Sequence, residues 1–224
     1  MTTMFKAVIF DLDGVIADTV EYHYLSTKRV AEEEDLSFSR ERNQKMQGRS
    51  RADLIDELVK NSRKVYSPSE KQKLGERKNH YFQQYIAGLS QVDILPGVYE
   101  LLRELKENRI KMAIASSSSN ARTTLSNLGI THLFDCVVDT RTIRQMKPDP
   151  EIFLQAAERL DTACGDCIAM EDGEAGMKAI KQTPMFSVGI GSNDVVKTAD
   201  WHVRQTSELS FSKLTYHFSQ RRNS

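Results

Sequence analysis

The chain has 224 residues, room for one large domain or two unequal ones, and its 31 Lys and Arg balance 31 Asp and Glu. Without net charge there is no global basic field to draw nucleic acid, and no apolar run approaches the ~20 residues of a membrane span. Residues 1–6 lead straight into an apolar strand without the core of a signal peptide, and three cysteines make no disulfide framework, so a cytoplasmic location is expected.

In chain order, Ala7-Val8-Ile9-Phe10 reads as a buried strand running into Asp11-Leu12-Asp13-Gly14. Alternation on an extended chain sends Asp11 and Asp13 to one side and Leu12 to the other, and Gly14 lets the backbone break away. From Gly14 to about residue 92 the pattern is helical, over 20–35, 51–61 and 69–89, with no convincing strand. Pro96-Gly97 then opens an amphipathic helix in which Val98, Leu101, Leu102 and Leu105 recur at i, i+3, i+4 and i+7. A strand over 110–115 and a helix over 121–128, ended by Gly129, follow. Short strands are expected at 136–138, 168–170 and 186–188, with helices over 150–160 and 173–182 between them.

This alternation implies right-handed crossovers and an α/β fold, a doubly wound, mostly parallel, Rossmann-like sheet covered on both faces. One apolar strand is not stable alone, so the first strand must join that sheet, and the helical stretch becomes an insertion. The expected division is a catalytic core domain of residues 1–17 and 95–224 and a helical cap domain of residues 18–94. The cap would sit over the carboxyl edge of the sheet, where ligands bind in open α/β folds. The tail, Gln220-Arg221-Arg222-Asn223-Ser224, is expected to fray.

Asp11 and Asp13 at the end of a central strand make a place to hold a divalent cation. Oxygen ligands suit Mg²⁺, which takes one or two carboxylates and often a substrate phosphate. A bare Asp-x-Asp is more often a turn or a helix cap. Three further groups fall at strand ends. Ala115-Ser116-Ser117-Ser118-Ser119-Asn120, just before a helix, offers hydroxyls and free N–H groups to a phosphate, although one serine would serve as an ordinary N-cap. Lys147, in Lys147-Pro148-Asp149-Pro150, is either a compact positive charge for the site or a solvated surface lysine. Glu171-Asp172-Gly173 is a second acidic pair that this fold brings near Asp11, where a lone pair is usually solvated.

Two other patterns carry less. In Cys164-Gly165-Asp166-Cys167 the second cysteine opens an apolar strand rather than a helix, and no second pair of zinc ligands is visible, so neither redox nor zinc chemistry is expected. Gly189-Ile190-Gly191 follows a strand, yet Asp194 stands where a dinucleotide fingerprint needs its third glycine, which disfavours a dehydrogenase.

Phe10-Asp11-Leu12-Asp13-Gly14-Val15, Ser116, Lys147-Pro148 and Glu171-Asp172 resemble, in order, the four motifs of the haloacid dehalogenase-like phosphotransferases, and the likeness covers essentially the whole chain. The resemblance implies that Asp11 is the nucleophile, taking a phosphoryl group as an aspartyl phosphate, and that Asp13 is general acid and base. It implies that Ser116 helps hold that group and that Lys147 offsets negative charge and keeps Asp11 ionised. Mg²⁺ would be held by Asp11, the backbone carbonyl of Asp13 and Asp172, with Glu171 a ligand or just behind.

Within that family, Glu21-Tyr22-His23 and Arg77-Lys78-Asn79 look like the cap signatures of the β-phosphoglucomutase branch. His23 and Lys78 fall on helix faces that turn inward, and the resemblance implies that together they position Asp13. The ordinary alternatives are a hydrogen-bonded core histidine and a lysine snorkelling off an apolar face. Gln47-Gly48-Arg49-Ser50-Arg51 is similar to the cap loop that grips the phosphate not undergoing transfer, with Arg51 suited to bind it through two bonds and Gly48 and Arg49 beside it. Ser118, Ser119 and Asn120 complete the implied substrate contacts. Two positions depart from the branch: Gln47 stands where it carries a lysine, and Thr27 where it carries a tryptophan.

The implied activity is an isomerase that interconverts β-D-glucose 1-phosphate and D-glucose 6-phosphate through a phosphorylated enzyme and a 1,6-bisphosphate. It would act as a monomer on a small-molecule sugar phosphate. The alternative is a Mg²⁺-dependent sugar-phosphate phosphatase in which water replaces the sugar hydroxyl. A catalytically silent sugar-phosphate binder would not need Asp11, Asp13, Lys147 and Asp172, and their retention weighs against it.

Overall fold

Six strands, β1 (Ala7–Phe10), β2 (Lys111–Ile114), β3 (Cys136–Val137), β4 (Cys167–Glu171), β5 (Phe186–Ile190) and β6 (Trp201–Val203), form one sheet in the order β3-β2-β1-β4-β5-β6. Every neighbouring pair is parallel, with Phe10 of β1 opposite Ile114 on one side and Met170 on the other. The structure, a computed structural model, describes residues 5–221.

Alternating side chains on each strand separate into two cores. Val8, Phe10, Met112, Ile114, Ile168 and Met170 face α5 (Val98–Glu107), α6 (Ala121–Asn127) and α9 (Phe211–Arg221). Ala7, Ile9, Ala113, Cys167 and Ala169 face α7 (Glu151–Arg159) and α8 (Glu174–Ile180). Burial on both faces explains why these strands are continuous apolar runs rather than alternating ones. It also makes the doubly wound architecture the direct consequence of the sequence pattern.

The stretch after β1 holds four helices, α1 (Val20–Glu33), α2 (Arg40–Met46), α3 (Arg51–Val59) and α4 (Pro68–Ile86). Val30, Ala31, Ile55, Leu58, Val59, Tyr66 and Leu74 give this block a core of its own. The start of α4 is set by a reciprocal cap: Ser67 accepts from the Glu70 N–H, the Glu70 carboxylate accepts from the Ser67 N–H, and Pro68 takes the first helical position. Its far end, with Phe82 and Ile86, packs into the larger sheet core together with Leu89 just beyond it. The two connections between block and sheet run side by side. The Leu95 N–H donates to Ile16 at 3.0 Å and the Asp18 N–H to Asp93 at 3.2 Å.

Several elements differ from expectation. Helix α2 is additional; it buries only Met46, so it shows no apolar stripe, and the Ser39 cap on the Arg42 N–H defines its start. Strand β6 and helix α9 were also not anticipated, the first a three-residue edge strand and the second anchored by Leu214 and Phe218. Gln220 and Arg221 lie in α9, not in a frayed tail, while residues 222–224 fall outside the described residues. Residues 1–4 do so as well.

The packing yields a direct check. Leu102 on α5 is fully buried, whereas Leu154 on α7 is 41% exposed. In urea unfolding, Leu102→Ala should cost about 2–5 kcal/mol, and Leu154→Ala less than about 0.5 kcal/mol. Equal losses would mean that the helix faces are misassigned.

Candidate active site

The strand order places the ends of β1, β2 and β4 side by side, and the residues that follow them converge there. Asp11 follows β1, Ser116 follows β2, and Glu171 ends β4. Lys147, in the connection after β3, is completely buried and bridges two of these ends: its Nζ donates to Asp11 Oδ1 at 2.5 Å and to Glu171 Oε2 at 2.8 Å. It is not a surface lysine. Burial pulls the Lys147 ammonium down, but Asp11 and Glu171 outweigh it and hold the group above the ordinary lysine range.

Around that ammonium stand more carboxylates than it can balance. Burial and the neighbouring Glu171 raise Asp11 to about 8 despite Lys147. Lys147 acts in the direction expected from sequence, favouring the ionised form of Asp11 against burial and Glu171. Burial, then Glu171, Asp11 and Asp13, push Asp172 well above the usual carboxylate range. Atoms of Asp11, Glu171 and Asp172 lie within 4.8 Å of one another. Asp172 Oδ1 is buried and has no hydrogen-bond partner. Gly14 leaves the room for Asp172: a Cβ there would meet Oδ2 at 1.9 Å, and its φ of 82° favours glycine in any case.

Excess buried negative charge, an orphaned carboxylate oxygen and oxygen-only donors together fit a divalent cation. Glu171 has less to offer it, since Oε1 accepts from the Gly173 N–H at 2.9 Å and the Asp172 N–H at 3.2 Å, while Oε2 holds Lys147. The Asp13 carboxylate stands outside this cluster, which leaves its backbone carbonyl as the atom to consider.

Asp13 is held by different means. Thr19 Oγ1 donates to its Oδ1 at 2.5 Å, and His23 Nε2 lies 3.2 Å from Oδ2. Burial favours its neutral form, but His23 and Thr19 prevail and hold Asp13 below its ordinary value. Burial and Lys78 lower His23 against the opposite pull of Asp13, so the neutral imidazole is favoured. With Nε2 carrying the proton toward Asp13, Nδ1 accepts from Lys78 Nζ at 2.8 Å, and the ring stacks on Phe82 with centroids 4.0 Å apart. The two residues on separate helices do meet. Thr27 is buried and donates back to the His23 carbonyl at 2.8 Å, so the departure there is filled within α1.

The helical block lies directly on the strand ends. A cavity of about 350 Å³ between them is lined by Asp11, Asp13, His23, Gly48, Arg49, Arg51, Lys78, Ser118, Ser119 and Asn120. Arg51 Nη2 donates to Ser119 Oγ at 2.5 Å and to Asn79 Oδ1 at 2.7 Å, and Asn120 Nδ2 reaches the same Asn79 oxygen at 2.8 Å. Ser117 Oγ donates to the Gly48 carbonyl at 2.6 Å. Arg49 is exposed and lines the cavity. Ser116 is buried and accepts from the Ser118 N–H at 3.1 Å, which shapes the loop; the N-cap of α6 is Asn120. The serine run is therefore not a helix cap.

Thr19 lies outside every motif read from the sequence, and Asn79 and Ser117 enter it only as members of Arg77-Lys78-Asn79 and of the serine run. Thr19 six residues past Asp13 and Asn79 beside Lys78 were the available signals. The cysteines take no part. Cys167 is buried, which with Cys164 and Asp166 pushes its thiol up to about 12.

Lys78 provides a pH test. Burial, with Arg51 beside it and against the pull of Asp13, lowers its ammonium to about 7. An unfolded lysine titrates near ~10.4. Between those values the unfolded chain binds a proton that the fold excludes, so stability rises with pH across this window. In urea unfolding the wild-type protein should gain on Lys78→Met from about pH 7 to about pH 10. A constant gap would mean that Lys78 stays protonated in the fold.

Residues 8–190 match the sequence profile of the haloacid dehalogenase-like hydrolases. The chain is 45% identical over 219 residues to the β-phosphoglucomutase of Bacillus subtilis, covering 97% of each. It is 31% identical to a phosphorylated carbohydrates phosphatase of Thermotoga maritima, over 79% of this chain and 80% of that one. Among solved structures, a β-phosphoglucomutase from Clostridium difficile superposes with a TM-score of 0.95 at 36% identity, covering 99% of this chain and 100% of the other. A profile that spans most of the chain, and relatives that align from end to end, make this protein a member of the haloacid dehalogenase-like hydrolase family.

Proposed function

We propose that this protein is a β-phosphoglucomutase, interconverting β-D-glucose 1-phosphate and D-glucose 6-phosphate with a phosphoryl group carried by Asp11. The observation that carries the reading is the pair of carboxylates lining one cavity with different partners, Asp11 on the buried ammonium of Lys147 and Asp13 on the hydroxyl of Thr19 and the imidazole of His23. Two carboxylates set apart in this way can divide nucleophilic and acid–base work between them. End-to-end identity of 45% to a β-phosphoglucomutase supports the same assignment over a phosphatase.

In this reading residues 1–17 and 95–224 are the catalytic core and residues 18–94 a cap over it. Asp11, the Asp13 carbonyl and Asp172 hold the cation, taken to be Mg²⁺, and Glu171 fixes Lys147 and the loop behind it. The ion, when bound, neutralises charge on the transferring group. An oxygen of Asp11 bonds to phosphorus as the phosphorus–oxygen bond to the sugar breaks, giving an aspartyl phosphate. Asp13, kept ionised by His23 and Thr19, first takes the proton of an attacking sugar hydroxyl. It then returns that proton to a leaving oxygen in the other half-reaction.

Thr19, His23 and Lys78 keep the Asp13 carboxylate aimed at that oxygen, and Ser116 and Lys147 hold the phosphoryl group. Arg51, with Ser118, Ser119 and Asn120, takes the phosphate that is not transferred, and Arg49 and Gly48 border it. The closed cap keeps water from the aspartyl phosphate. The enzyme is read as a cytoplasmic monomer acting on a small sugar phosphate, with neither nucleic acid nor membrane as partner.

The test uses purified protein, Mg²⁺, β-glucose 1-phosphate and a trace of the 1,6-bisphosphate, with glucose 6-phosphate and free phosphate followed together. Glucose 6-phosphate should dominate. Free phosphate as the main product would make the enzyme a phosphatase. Asp11→Asn should lower turnover by about 10⁴-fold or more, and Asp13→Asn by about 10²–10⁴-fold.

A further inference from the structure

Gln47 ends α2, and its side chain crosses from the helical block to the sheet, where Nε2 donates to Asp172 Oδ2. The approach is close. A Cβ at Gly173 would meet the Gln47 carbonyl oxygen at 3.3 Å, so the loop lies directly on the Asp172–Gly173 turn. The next residue, Gly48, accepts from Ser117 Oγ at 2.6 Å, which ties the same loop to the end of β2. Asp172 is thereby held on one side only: Gln47 occupies Oδ2, Gly14 leaves space for that oxygen, and Oδ1 is buried without a partner.

We propose that Gln47 is a positioning residue that couples closure of the helical block to cation binding, by holding Asp172 with Oδ1 turned to the ion. The inference rests on Asp172 being an ion ligand, as read above. An amide suits this task because it satisfies one carboxylate oxygen without adding positive charge, so the full negative charge of Asp172 is left for the cation. By linkage, ion binding favours the closed arrangement to the same extent that closure favours the ion. A cationic side chain at residue 47 would make the same contact but compete with the ion electrostatically.

Calorimetric titration of Mg²⁺ into the full-length protein without sugar tests this, with folding checked by circular dichroism. Gln47→Ala should weaken Mg²⁺ by about 10–100-fold. Gln47→Lys, which keeps a donor in reach, should weaken it as well. Gln83 supplies the control, since its Nε2 donates to Asn120 Oδ1 at 3.1 Å across the same seam but away from the ion. Gln83→Ala, which loosens the seam without touching Asp172, should weaken Mg²⁺ by clearly less than Gln47→Ala. Unchanged affinity in Gln47→Ala, tighter binding in Gln47→Lys, or an equal loss in Gln83→Ala would each overturn the proposal. Asp172→Asn separates the two readings: if the wild-type protein binds Mg²⁺ and this variant binds it equally well, the assignment of Asp172 as a ligand fails first.

Discussion

A buried ammonium held between two buried carboxylates organises this molecule. Lys147 touches Asp11 and Glu171, and none of the three has appreciable access to water. Removing a charge from water costs several kcal/mol even after relaxation, and breaking one partner of a buried pair costs about 3–5 kcal/mol. Such a group persists only where several chain segments are fixed well enough to surround it. The parallel sheet meets that requirement, because β1 and β4 are neighbours and both end at the same edge. The order of the strands, the crossovers and the two packed faces all serve to hold three side chains from distant parts of the sequence within hydrogen-bond reach.

The same cluster is electrostatically unfinished. One lysine faces Asp11, Glu171 and Asp172, and burial, followed by the neighbouring carboxylates, raises both aspartates. Asp13, two residues from Asp11, goes the other way because its partners are a hydroxyl and an imidazole from α1 and its approach rather than another carboxylate. The contrast between the two aspartates therefore depends on the helical block as much as on the sheet. Asp13 is built from both layers, since His23 is in turn fixed by Lys78 and Phe82 on α4.

How much of this was legible in the sequence follows from where each residue acts. β1, β2 and β4 are apolar on both faces and announce themselves; β6 has three residues with a histidine in the middle and does not. Asp11, Ser116 and Glu171 stand at or just beyond strand ends and Lys147 in the connection after β3, so motif order was enough to bring them together. Thr19, Asn79 and Ser117 act by bonding to other site residues, and no periodicity marks such a role. Sequence supplies the identity of Lys147 but not its depth: the fold buries it completely between Asp11 and Glu171. Gln47 looked like a lost lysine, whereas in the fold it is a donor to Asp172.

A phosphomutase places conflicting demands on the seam between block and sheet. In the reaction proposed above, water must be excluded while Asp11 carries the phosphoryl group, yet the bisphosphate has to turn over before its second phosphate can return to the same aspartate. The contacts across the seam suit both demands. Ser117 to Gly48, Arg51 to Ser119, Asn120 to Asn79 and Gln83 to Asn120 are hydrogen bonds between polar groups. Each is worth about 0.5–1.5 kcal/mol net, because water replaces it on opening. Several together close the cavity without locking it. Phe82, Ile86 and Leu89 remain in the sheet core, and the paired connections at Ile16–Leu95 and Asp18–Asp93 lie at the junction. On the function proposed above, a phosphate gripped by Arg51 from the block and by Ser119 and Asn120 from the sheet adds bonds across that seam, so the site is tightest when the reactive phosphoryl group most needs protection from water.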